Sequence, residues 1–108
     1  MEMKIWTTRL SAADKAAAAK IASRLGIKLQ PAIRHAIDEM EKRFAAKGAK
    51  AFSAEAAEDG SKVQFTMRVS DKQKEALRKM SSGLGDCGMS AALRSCLHTV
   101  ASEERKRK

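Results

Sequence analysis

Aromatic residues are scarce in this chain: 108 residues hold one Trp, three Phe and no Tyr. Alanine is frequent by contrast, which favours helices over a sheet-rich core. Proline occurs once, at Pro31. It is tolerated only in the first turn of a helix, so a helix should start near Lys28 or Leu29. Cysteine is limited to Cys87 and Cys96, which form no CxxC, and neither His35 nor His98 sits at metal-ligand spacing from them. That argues against a zinc site or a disulfide, and no cofactor is expected. No apolar run approaches membrane-spanning length. Met1 to Leu10 lacks the basic-then-apolar layout of a signal peptide. The expectation is a cytoplasmic protein of a bacterium or mobile element, without a membrane partner. No nucleophile–base pair, paired-carboxylate site or phosphate-cradling glycine loop is visible, so an enzyme is not expected.

Acid is in short supply too. Lys and Arg outnumber Asp and Glu by 22 to 13, a net charge of +9. Residues 1–46 carry 9 bases and 5 acids, and residues 62–108 carry 11 and 5. Residues 47–61 carry 2 bases and 3 acids, so the positive charge sits on the two patterned segments. A basic globular unit most often meets a polyanion, nucleic acid first.

The most informative stretch is Gln64-Phe-Thr-Met-Arg-Val69. Polar Gln64, Thr66 and Arg68 alternate with apolar Phe65, Met67 and Val69, the signature of a strand with one wet and one buried face. The wet face holds no acid. Arg can read guanine, Gln adenine, and Thr a thymine methyl or a polar edge in a DNA major groove. Met3 to Leu10 reads as a second strand, with Trp6, Thr8 and Leu10 on one face and Ile5, Thr7 and Arg9 on the other.

Each strand leads into a helical pattern. Ser11-Ala-Ala-Asp14 resembles a capping box, and Ser70 with Gln73 forms another. A helix over about 12–25 presents Ala17, Ala18, Ile21 and Leu25 on one stripe and stops at Gly26. The next buries Leu29, Ala32, Ile33, Ala36, Ile37, Met40 and Phe44. In the later part, Ala76, Leu77, Met80 and Leu84 form one stripe, and Met89, Ala92, Leu93, Cys96, Leu97 and Val100 the next. Arg9-Leu10-Ser11 matches Arg68-Val69-Ser70, Trp6 matches Phe65, and Gly26 matches Gly85, all at an offset of 59. Beyond the glycine the offset becomes 60, matching Leu29 to Met89, Ile33-Arg34 to Leu93-Arg94, and Ile37 to Leu97. A repeat of this kind constrains architecture more than local propensity does.

One copy, forty-odd residues, is too small to bury a stable core alone. The expected fold is therefore mainly α with a two-stranded antiparallel β-ribbon, in the order β-α-α-linker-β-α-α. The expected segments are a first repeat over 1–46, a linker over 47–61, a second repeat over 62–101 and a basic, frayed tail over 102–108. The two repeats should pair within one chain as a pseudo-dimer; exchange between two chains is the competing arrangement. Within the linker, 54–58 could add a turn of helix. Arg34 and Arg94 read as structural, Cys96 as a small core residue, and His35 and His98 as solvent-facing.

The strand–helix–helix order, the glycine turn and the alternating strand resemble the ribbon-helix-helix family of DNA-binding proteins. Gln64 to Val69 is similar to the strand of the Arc-type phage repressors, and the fusion of two copies resembles the TraY-type proteins of conjugative plasmids. The resemblance implies a ribbon in the major groove, with Gln64, Thr66 and Arg68 reading bases alongside Ile5, Thr7 and Arg9. It also implies phosphate anchoring at the start of each second helix, near Leu29 and Gln30 and near Met89 and Ser90. Lys4, Lys28 and Lys62 would add phosphate contacts. Two departures stand out. The second helices begin after Lys28 and Gly88, where the family often has Ser or Thr. Ile5 stands where the later copy has Gln64, so it can at most touch a thymine methyl, and an asymmetric DNA site is expected. The implied partner is double-stranded DNA, with possible self-association on adjacent sites, and the implied function is transcriptional regulation. The rival readings are an accessory protein at a plasmid transfer origin, and an antitoxin or adaptor with a protein partner.

Overall fold

The computed structural model describes residues 3–52, 62–86 and 88–106. Strand β1 spans Met3–Leu10, followed by helices α1, Ala12–Leu25, and α2, Leu29–Lys47. A 3₁₀ helix, Gly48–Ala51, comes next. Strand β2 then spans Val63–Ser70, followed by α3, Asp71–Gly83, and α4, Met89–Lys106.

The two first helices start where the sequence supplies a reciprocal cap. Ser11 Oγ accepts from the Asp14 amide at 3.2 Å, and Asp14 Oδ2 accepts from the Ser11 amide at 2.8 Å. Ser70 and Gln73 repeat the exchange at 3.1 and 3.0 Å. Four backbone donors that would otherwise be orphaned are satisfied this way. Helix α1 ends at Gly26, whose φ of 66° is left-handed, while the Ile27 amide reaches back to the Ala22 carbonyl at 3.0 Å. Glycine takes that conformation without a Cβ penalty. The connection between α3 and α4, residues 84–88, is two residues longer than that between α1 and α2, residues 26–28. There Asp86 adopts a φ of 58°, and its amide bonds the Ser81 carbonyl at 2.8 Å.

The strands pair antiparallel, with Thr7 opposite Thr66 and Trp6 opposite Met67. Their inner face delivers Leu10, Met67 and Val69 to a single core, where Ile21, Ile33, Ile37, Met40, Leu77, Met80, Leu93 and Leu97 meet them. Trp6 and Phe65 lie half-buried at its margin. Among the described residues, no helix is long and apolar enough to cross a membrane.

The expected fold class is corrected by this arrangement. The chain does not build two β-α-α units in tandem. Its described residues form one two-stranded sheet and four α-helices on one core, with a 3₁₀ helix inserted after α2. Helix α1 packs on α4 as well as on α2, and α3 packs on α2 as well as on α4. Each half's first helix thus closes on the other half's second. A lone strand with two short helices has neither the apolar surface nor the backbone partners to stand as a unit.

Two boundaries also differ from the sequence reading. The segment assigned to the linker begins as structure: Lys47 closes α2, and Gly48–Ala51 is helical, with Ala51 in the core and Phe52 against it. The segment assigned to the tail continues α4 as far as Lys106. The suggested helical turn at 54–58 lies outside the described residues, as does Cys87.

Candidate nucleic-acid interface

The outer face of the ribbon is built by the register. Ile5 faces Arg68, Thr7 faces Thr66, and Arg9 faces Gln64. All six side chains are exposed, and neither strand contains an acid. The central threonines join through their hydroxyls at 3.3 Å. Arg9, Gln64 and the Arg68 guanidinium have no hydrogen bond or ion pair among the described residues. The face therefore presents two forked donors and an amide whose bonding capacity is unspent among the described residues.

The backbone of Arg68 is held from the side. Its amide donates to Gln30 Oε1 at 3.4 Å, and its carbonyl accepts from Arg34 Nη1 at 3.0 Å. Both groups thus point away from β1, which makes Ile5–Arg68 a non-hydrogen-bonded pair in the ladder. The other two outer-face pairs share its parity. Side chains stand closest together at such positions. The first two turns of α2 therefore fix the strand under one arginine. On the other edge, the Thr8 hydroxyl bonds the Ser90 hydroxyl, tying the start of α4 to β1. Thr8, nominally a polar residue on an apolar face, is 2% exposed and satisfied by that bond.

The predicted phosphate contacts divide. Lys28 is exposed at the start of α2, and its side chain makes no capping bond. Because Pro31 has no N–H, the Leu29 and Gln30 amides are the ones left open in that first turn among the described residues. Among the same residues the amides of Met89, Ser90 and Ala91 stand likewise open at the start of α4. Two uncapped helix starts beside a basic ribbon favour an anion. Gln30 and Ser90 spend their side chains on the strands instead. Lys62 is exposed next to β2. Lys4 lies on the inner side of the ribbon and pairs with Asp71 at 3.4 Å.

Periodicity did not reveal the polar cluster under α1. Asp14 is wholly buried; Arg94 Nε donates to its Oδ2 at 2.6 Å, and His98 Nε2 lies 2.7 Å from its Oδ1. Burial pushes the Asp14 carboxyl up, but the Ser11 amide, His98, Arg94 and the Ser11 hydroxyl together hold it below its ordinary value. His98 was expected to face solvent, and instead it closes this cluster. Gln73, the counterpart of Asp14, donates to Asp38 at 3.2 Å. The acid has changed helices between the two halves. The readable signal was the Asp at the capping-box position, which offers a second oxygen that a Gln does not.

Among the described residues, no three His, Cys, Asp or Glu side chains converge as a metal site requires. No protein-family model, curated protein or solved structure matches this chain.

Proposed function

We propose that this protein binds double-stranded DNA sequence-specifically, by laying the β1–β2 ribbon in the major groove, and that it acts as a transcriptional regulator. One observation carries the reading. Three cross-strand pairs bring two arginines, a glutamine and two threonines onto one acid-free face, with the arginine and glutamine head groups unspent. A major groove about 12 Å wide admits a two-stranded ribbon. Ile5 to Arg9 spans roughly 14 Å at about 3.4 Å per residue, close to the rise of four base-pair steps. The three pairs thus match about five base pairs. The net charge of +9 supplies sequence-independent attraction. The similarity of Gln64 to Val69 to the strands of ribbon-helix-helix regulators points the same way.

Arg9 and Arg68 read guanines on this proposal, Gln64 an adenine, and Thr7 and Thr66 the centre of the site. Lys28 and the open amides of α2 and α4 hold flanking phosphates. The test is a competition assay with Arg68→Ala. Loss of a bidentate contact should cost about 1–3 kcal/mol on the preferred sequence. Binding to unrelated duplex should change far less, because phosphate contacts carry no sequence information. Equal losses on both duplexes would remove Arg68 from base reading.

A further inference from the structure

An antiparallel pair of strands has a local two-fold axis, which here passes between Thr7 and Thr66. The rotation exchanges Arg9 with Arg68. It exchanges Ile5 with Gln64. The arginines obey the symmetry, and the other pair does not. One end of the outer face is therefore Arg9–Gln64, two polar readers. The other end is Arg68–Ile5, one polar reader beside a side chain that is 65% exposed and can offer only apolar contact.

The flanks differ as well. The start of α2 is bound to Arg68 through Gln30 and Arg34, so it stands at the Ile5 end. It brings Lys28, exposed and without a hydrogen bond or ion pair to its side chain among the described residues. The start of α4 is bound to Thr8, next to Arg9, so it stands at the Gln64 end. There the corresponding position is Gly88, and the turn before it carries Asp86. At the helix start the Ile5 end has a cation and the Gln64 end has none, while at the strand end exposed Lys62 adjoins Gln64 and Met3 takes the equivalent place beside Ile5.

The geometry points to a ribbon with a built-in direction, resting on the DNA-binding reading above. The duplex it prefers is not its own inverted repeat. A guanine occupies each arginine position. At the Gln64 end the neighbouring pair is read through an adenine edge. At the Ile5 end it is read through a thymine methyl, and the phosphate contact there comes from Lys28 at the start of α2, whereas at the Gln64 end it comes from Lys62 before β2. The protein thus binds in one orientation, with sequence discrimination weighted to the Gln64 end.

In vitro selection from a random double-stranded pool tests this, run in parallel on the wild type and on Ile5→Gln and Gln64→Ile. Both positions are exposed, so both variants should keep the wild-type melting temperature. The wild type should enrich a core of about five base pairs whose two ends differ. Ile5→Gln should convert that core toward an inverted repeat carrying the Gln64-type end twice, and prefer it over the wild-type site by about five-fold or more, the lower bound for one bidentate contact. Gln64→Ile should duplicate the other end. A palindrome selected by the wild type, or the same site selected by all three proteins, would overturn the directional reading while leaving DNA binding in place. Failure of the wild type to enrich any sequence over the input would overturn the DNA reading itself.

Discussion

Arg94 and Asp14 meet at 2.6 Å with side chains 5% and 0% exposed, eighty residues apart in the chain. The pair locks α4 to the first turn of α1, across the boundary between the two halves. Removing one partner of a buried ion pair leaves the other charge stranded. Asp14→Leu and Arg94→Met should each lower unfolding free energy by about 3–5 kcal/mol. The double variant Asp14→Leu with Arg94→Met should recover a large part of either loss, although it forfeits the Asp14 half of the capping box. Urea denaturation of all four proteins measures this, and additive losses in the double variant would contradict a coupled pair.

The same carboxylate sets an acid limit on stability. Its folded value lies below its ordinary one, so its contribution is fully present above the ordinary carboxylate range, near pH 4. The contribution is lost as pH falls through the lower folded value. The stability gap between wild type and Asp14→Asn should shrink on acidification below about pH 4. Denaturation midpoints taken across that range test the sign. A gap that widens in acid would contradict it.

Gly83 is a packing notch. A Cβ there would collide with Phe44 Cζ, and Phe44 in turn lies edge-on to Phe52, with ring centroids 6.4 Å apart. Gly83→Ala gains up to about 1 kcal/mol of helix propensity. Overpacking should outweigh that gain, at about 1–3 kcal/mol. The net result should be a lower melting temperature, restored toward wild type when Phe44→Leu is added. A melting temperature raised by Gly83→Ala alone would show that the ring moves aside freely.

Lys28 should act on affinity rather than on sequence choice. Lys28→Ala should weaken binding by a similar factor on preferred and unrelated duplexes, and reduce the slope of log affinity against log salt by about one. Titrations at several salt concentrations give both numbers. An unchanged slope would place Lys28 away from the phosphates.

Much of the local structure was legible. Alternation marked both strands, the two capping boxes marked both first helices, and Gly26 marked a helix end. The matched pairs Arg9/Arg68 and Trp6/Phe65 linked the halves. The stripes of α2 and α4 are those that became core. What could not be read was the choice of partner across helices. Asp14 and Gln73 occupy equivalent cap positions, yet one recruits Arg94 and His98 and the other Asp38. That choice depends on which side chain fills the space between two packed helices, and no local period encodes it. The Gly83–Phe44 notch and the burial of Ala51 are of the same kind. The order of elements was visible, but the tandem description failed because helix packing crosses between the halves.

The crossing of helices between halves bears on how the molecule assembles. Two separate half-chains would have to meet by collision, and each would be as free to mate with its own kind as with the other. Joined in one chain, they find each other at the high effective concentration of tethered segments, on the order of millimolar for short flexible connections. Assembly then does not weaken on dilution, and its rate does not depend on how much protein is present. The covalent join also favours one choice of which strand lies beside which. Like-with-like ribbons, with their different outer faces, have to compete against a partner that is always at hand.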